Sequence, residues 1–116
     1  MKILFIVNDP PYGTERCFNA FRLALSLLKD EEKPEISVFL MADAVVCAKA
    51  GQKTPDGYYS LERMILGVIP DAEVVLCGTC MDARGITDSE LITGAERGTM
   101  PQLANLTLGA DKVLVF

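Results

Sequence analysis

The sequence predicts an α/β domain in three layers, a mostly parallel sheet with helices on both faces. Three observations carry that expectation. Short apolar runs alternate with segments of helical period, and the connections between them are short, as in strand–helix–strand crossovers. The apolar runs are continuous rather than alternating in polarity, so their strands are buried on both faces. The chain has 116 residues and no linker divides it, so residues 1–116 read as a single domain.

The elements follow in chain order. Lys2–Asn8 is apolar and stops at Asp9-Pro10-Pro11, which marks a first buried strand. Thr14 and Glu15 open a helix that runs to about Asp30, with Phe18, Phe21, Leu25 and Leu28 at three- or four-residue steps. Glu35–Met41 is a second strand. Asp43 can cap a short helix over Ala44–Ala50, which Gly51 ends. The stretch from Gly51 to Gly57 holds Gly, Lys, Pro and Asp and reads as a loop. Tyr58–Val68 is helical, with Leu61, Met64 and Ile65 on one side. Glu73–Cys77 is a third strand, and Gly78–Glu90 reads as mostly loop with a helical turn after Thr87. Thr99 reads as an N-cap with Pro101 just inside, Gly109 as a stop, and Lys112–Phe116 as the last strand.

Composition then removes whole chemistries. Sixteen acidic residues against eleven Lys plus Arg leave a net charge of −5. Nucleic acid and anionic membrane surfaces both demand surplus positive charge, so neither is an expected partner. The chain has no histidine, which rules out Ser-His-Asp and Cys-His catalysis within it. A nucleophile here is activated by backbone dipoles, by Arg or Lys, or by a partner. No apolar run approaches the ~20 residues of a membrane span. The start, Met1 to Val7, reads as a strand and not as a signal peptide, so the expected compartment is the cytoplasm. Four cysteines in 116 residues fall short of the density of a disulfide scaffold.

Ligands of open parallel sheets bind where strands end at their carboxyl side. Two loops there have unusual content. The first is Asn8 to Thr14, in which Tyr12, Gly13 and Thr14 precede a helix and are secondary candidates for holding an anion. Its blander reading is a turn whose Tyr12 covers apolar surface. The second is Cys77-Gly78-Thr79-Cys80-Met81-Asp82-Ala83-Arg84-Gly85. Thiol chemistry requires the thiolate, and loop N–H groups together with the Arg84 guanidinium can lower a thiol pKa. Gly78 lets the backbone turn toward the sulfur, and Thr79, Asp82 and Gly85 complete the candidate set. The alternative is that Cys77 is a small apolar residue closing a strand.

The Cys77–Cys80 spacing has three competing meanings. A thioredoxin-type pair belongs at a helix start after the first βα unit, whereas this one follows a later strand and opens a polar loop. Zinc needs four ligands, and only Cys17 and Cys47 remain, both on expected helices. Those two are expected to pack as small apolar residues. The third meaning is a nucleophilic or persulfide-carrying cysteine with a neighbouring thiol. Without G-x-G-x-x-G or a P-loop, nucleotide binding has no support. Asp9, Asp43, Asp82 and Asp88 sit where Asp commonly caps or turns.

Taken together, Pro11–Glu15, Phe39–Val45, Gly51-Gln52-Lys53, Gly57-Tyr58, Leu76–Ile86 and Ala110–Phe116 resemble the DsrE/DsrF-like family, and within it the small YchN-like branch. The resemblance covers essentially the whole chain. It implies a three-layer α/β/α fold on a five-stranded, mostly parallel sheet, with a further strand near Ala95–Gly98. It implies a homo-oligomer, a trimer or hexamer. Sulfur-relay members of the family carry a persulfide on a cysteine seven residues before an Arg-Gly pair. Cys77 stands seven residues before Arg84-Gly85, so that role carries over to Cys77, with Arg84 and loop N–H groups stabilising its thiolate. Cys80 has no counterpart in the relay pattern.

The resulting expectation is a persulfide carrier or sulfurtransferase with Cys77, Arg84 and Cys80 as its catalytic residues. It needs no cofactor, and its partners are sulfur donors and acceptors. Two alternatives stay open, a non-enzymatic oligomeric binding or regulatory module and a Cys77/Cys80 dithiol redox switch. Half of the residues are hydrophobic, and that surplus favours self-association. Tyr58, Tyr59 and Met64 are interface candidates.

Overall fold

Every strand pairing is parallel, beginning with Ile3 opposite Ile36 and Phe5 opposite Val38 at the centre of the sheet. A computed structural model describes residues 1–116. Its strands are β1 (Lys2–Val7), β2 (Glu35–Leu40), β3 (Ala72–Cys77), β4 (Ala95–Gly98) and β5 (Lys112–Val115), in the order β4-β3-β2-β1-β5. The helices are α1 (Arg16–Leu27), α2 (Leu61–Val68), α3 (Gly78–Ala83) and α4 (Met100–Gly109). Two 3-10 segments, Ala42–Ala48 and Asp88–Glu90, fill the loops after β2 and before β4.

Alternation along the strands sends Ile3, Phe5 and Val7 to one face with Ile36, Val38 and Leu40 beside them. Helices α1 and α2 pack together over this face and bury Phe21, Ala24, Leu61, Ile65 and Val68 against it. Phe5, Phe21 and Phe39 are fully buried, each stabilising the fold by about 1.5–3 kcal/mol through removal from water. Helix α4 crosses the opposite face, where Gln102 and Leu106 line one cleft with Leu4, Ser37 and Glu73. That face is only partly covered, and the amino ends of β2 and β3 carry Glu35, Ser37 and Glu73 there.

The layered parallel fold matches the sequence expectation, and the strand at Ala95–Gly98 exists, paired with β3 from Val74–Ala95 to Cys77–Gly98. Several elements differ. Gly78–Ala83, expected as loop, is helix α3. Six residues are too few to show a helical period, and this helix is nucleated from outside by its cap and by buried Met81. The segment after β2 is a 3-10 helix starting at Ala42, and Asp43 does not cap it. The Asp43 carboxylate is drawn instead to Arg84. Helix α2 starts at Leu61, because the Ser60 side chain accepts from the Arg63 N–H, and Tyr58 and Tyr59 lie ahead of it. Thr99 caps α4 as expected by accepting from Gln102 N–H, with Pro101 in the first turn.

Candidate functional site

Strand β3 delivers Cys77 to the carboxyl end of the sheet and α3 begins at the next residue. Cys77 is therefore the N-cap of α3, and its sulfur takes the place of the usual cap oxygen. The backbone N–H of Cys80 donates to Cys77 Sγ over 3.4 Å, and the Thr79 hydroxyl lies 3.2 Å from the same sulfur. Burial pushes the Cys77 thiol up, but hydrogen bonding from the Cys80 thiol, the Thr79 hydroxyl and both backbone N–H groups outweighs it, and the net direction is down. A thiol held this way forms thiolate at lower pH than a free cysteine.

Cys80, one turn further on, shows the opposite balance. Burial and its proximity to Cys77 raise its thiol, against a lowering hydrogen bond from the Ala42 N–H and the charge of Arg84. That N–H donates to Cys80 Sγ over 3.3 Å. Ala42 takes a φ of 51°, a left-handed conformation for a residue with a Cβ, at a cost of about 1–2 kcal/mol. The turn it makes aims the N–H at the sulfur. Arg84 donates to Asp43 Oδ1 at 2.9 Å and to the Cys80 carbonyl at 3.0 Å. The guanidinium thus ties α3 to the loop after β2, and its hydrogen bonds run to Asp43 and Cys80 rather than to the Cys77 sulfur.

On the other side, Cys77 forms the floor of a cleft of about 380 Å³ lined also by Gly78, Thr79, Asp82, Arg97, Gly98, Thr99 and Met100. The sulfur-bearing residue is only 7% exposed, so reagents reach it through this cleft. Arg97, from edge strand β4, organises the wall. It donates to Asp88 at 2.7 Å and to the Gly78 carbonyl at 3.1 Å, and it pairs with Asp82 at 3.1 Å. These bonds, Asp88 first, raise the Arg97 pKa and keep it charged. A Cβ on Gly78 would sit 2.9 Å from the guanidinium, so glycine is what permits this approach.

The structure brings together Cys77, Gly78, Thr79 and Asp82 in the cleft, with Cys80 and Arg84 on the side facing Ala42 and Asp43. Gly85 closes α3 in a left-handed turn with φ of 66°. Tyr12, Gly13 and Thr14 do not line the cleft. The Tyr12 hydroxyl donates to Gln52 and accepts from the Leu61 N–H, which bolts this loop to its neighbours, and Thr14 donates to Asp9 within the loop. Arg97, Gly98, Thr99 and Met100 were not among the sequence candidates. Ala95–Gly98 has no apolar run to announce a strand, and only the strand's pairing with β3 places Arg97 beside Cys77.

The four cysteines form two pairs, and no group of three or more metal-ligating acidic or sulfur side chains converges. Cys17 and Cys47 are fully buried, as expected, and in addition touch each other, with sulfurs 2.9 Å apart. Hydrogen bonding to Cys17, then burial, pushes the Cys47 thiol far up. The Cys77–Cys80 pair stands at a helix start, where a loop was expected, and this placement suits dithiol chemistry.

A sequence model of the DsrE/DsrF-like family matches residues 1–116. Protein YchN of Escherichia coli is 44% identical over 115 residues, 99% of this chain and 98% of that protein. An uncharacterised protein of Methanopyrus kandleri is 36% identical over 114 residues, 98% of this chain and 93% of the relative. The crystal structure of E. coli YchN superposes with a TM-score of 0.93, covering 99% of this chain and 98% of that one. A protein of unknown function from Methanobacterium thermoautotrophicum, 15% identical, shares the fold with a TM-score of 0.76 over 97% of each chain.

Proposed function

This chain belongs to the DsrE/DsrF-like family, and we propose that it carries sulfane sulfur as a persulfide on Cys77. One observation supports the reading above the others. The Cys77 sulfur, with its thiol pKa lowered, faces a cleft and accepts hydrogen bonds from its own helix start. The Cys77 thiolate attacks the outer sulfur of a donor persulfide, R–S–SH. A new S–S bond forms on Cys77, the donor's S–S bond breaks, and the donor leaves as R–S⁻. No histidine is required, since a thiolate is nucleophilic without a base. The step also calls for no metal or organic cofactor.

The same reading sets the setting. The reaction belongs in a reducing cytoplasm, where thiols stay free. Sulfur donors and acceptors, proteins or small persulfides, are its partners. Self-association belongs to the reading too. It is supported by exposed Leu108 on α4 and by Val113 and Val115 on edge strand β5, together with exposed Tyr58 and Leu66. A scattering mass equal to one chain would refute it.

Intact mass after incubation with a persulfide donor tests the carrier role. The expected result is an adduct of about 32 Da that vanishes in Cys77→Ser, one sulfur atom on the ladder of reversible cysteine caps. No Cys77-dependent adduct would instead favour a binding or regulatory oligomer with an inert thiol.

A further inference from the structure

We propose that Cys80 discharges the Cys77 persulfide as sulfide, so that the site turns sulfane sulfur into hydrogen sulfide and a Cys77–Cys80 disulfide. This rests on the carrier reading above and gives the second thiol a defined step. A pure relay site needs one thiol and a route to the acceptor. Here a second sulfur stands one turn along the same helix, on a residue whose own N–H donates to Cys77 Sγ. Residues three apart on a helix present neighbouring side chains.

Cys80 has contacts of its own, separate from those of Cys77. The Ala42 N–H donates to its sulfur over 3.3 Å, and Arg84 is anchored to the Cys80 carbonyl and to Asp43. Both groups lower the Cys80 thiol pKa, while burial and the nearby Cys77 raise it and prevail, so Cys80 holds its proton longer than Cys77 does. The Ala42 N–H comes from the loop after β2 and Arg84 from the far end of α3, whereas the cleft that admits the donor is walled by β4 and the start of α4 and does not include Cys80. The donor therefore meets Cys77, and Cys80 meets whatever Cys77 becomes.

The chemistry balances in two steps. After transfer, Cys77 is Cys77–S–SH. The Cys80 thiolate attacks its inner sulfur, the S–S bond to the outer sulfur breaks, and hydrosulfide leaves and takes up a proton as hydrogen sulfide. The outer sulfur is reduced by two electrons and the two protein thiols are oxidised by two to the disulfide. An external dithiol, or two monothiols, returns the disulfide to thiols by exchange and completes the cycle. The substrate class is a low-molecular-weight or protein persulfide, and the co-reactant class is a thiol reductant.

The test is a single turnover. Fully reduced protein, stripped of small thiols, receives one equivalent of glutathione persulfide, and sulfide and intact mass are read together. Wild type is expected to release about one sulfide per chain and to end about 2 Da lighter than the reduced chain, with the Cys77–Cys80 link found by peptide mapping. Cys80→Ser is expected to keep about 32 Da on Cys77 and to release sulfide at least about tenfold more slowly. Wild type retaining the added sulfur as fully as Cys80→Ser would overturn the discharge step and leave the carrier reading standing. Equal sulfide release by both proteins would also overturn it. Failure of both proteins to take up sulfur would overturn the carrier reading and the discharge with it.

Discussion

The backbone N–H of Cys80 donates to the sulfur of Cys77 over 3.4 Å, so a thiol serves as the cap of the helix that follows it. The hydroxyl of Thr79 reaches the same sulfur at 3.2 Å. Thr79→Ala removes that contact. A hydrogen bond worth about 0.5–1.5 kcal/mol corresponds to about a two- to tenfold change. The Cys77 thiol moves up, so its thiolate is lost at a higher pH than in wild type and alkylation near neutrality slows by that factor. Iodoacetamide rates against pH, in a Cys80→Ser background, read the midpoint. An unmoved midpoint would show that Thr79 contributes nothing to the thiolate.

Arg97 ties two segments to its own strand, α3 through Gly78 and Asp82 and the 3-10 turn through Asp88. Arg97→Met leaves two carboxylates and a carbonyl without their donor. About a third of the Arg97 side chain is exposed, so solvent recovers part of the loss. The expected result is a urea midpoint below that of wild type. Arg97→Lys keeps the charge but cannot fork to three acceptors and recovers less than half. Full recovery by lysine would reduce the clamp to simple charge.

Gly98 ends β4 where α4 crosses the sheet. A Cβ there would overlap Val75 Cγ1 and stand 2.6 Å from Gln102 Oε1. Gly98→Ala is expected to destabilise by about 1–3 kcal/mol through overpacking. Gly109→Ala, at the end of α4 with nothing within 4 Å, is expected to be neutral or to stabilise by up to about 1 kcal/mol. Matching thermal shifts in the two variants would refute the close approach of β4 and α4.

The two cysteine pairs differ in reach. Cys17 and Cys47 are fully buried and share a hydrogen bond that keeps the Cys47 thiol protonated. Maleimide labelling of the folded protein is expected to modify Cys77 first and Cys80 more slowly. Cys17 and Cys47 label only as fast as the protein opens. Early labelling of Cys47 would contradict the burial.

Much of the fold was legible because it rests on local signals. The apolar runs at Lys2–Val7, Glu35–Leu40 and Ala72–Cys77 are long enough to read as strands, and Thr99 with Pro101 announces α4. Strand β4 was found only through the family resemblance. Ala95-Glu96-Arg97-Gly98 is polar because an edge strand is not buried on both faces, so its burial cannot show in its composition. Helix α3 was hidden for a related reason. It is too short to show a period and owes its start to a cysteine, which is not a usual cap residue.

By itself the sequence determined a parallel α/β layering, a site without histidine, and Cys77 as the sulfur at a strand's carboxyl end. Hydrophobic period and residue inventory are properties of the chain alone. Only the tertiary structure decided what surrounds that sulfur. It set Arg84 on Asp43 and the Cys80 carbonyl, gave Cys80 the Ala42 N–H, and brought Arg97 from 20 residues downstream to the wall of the cleft. Such partners are chosen by strand register and by the crossing of α4 over the sheet, and neither is written in the spacing of a local motif.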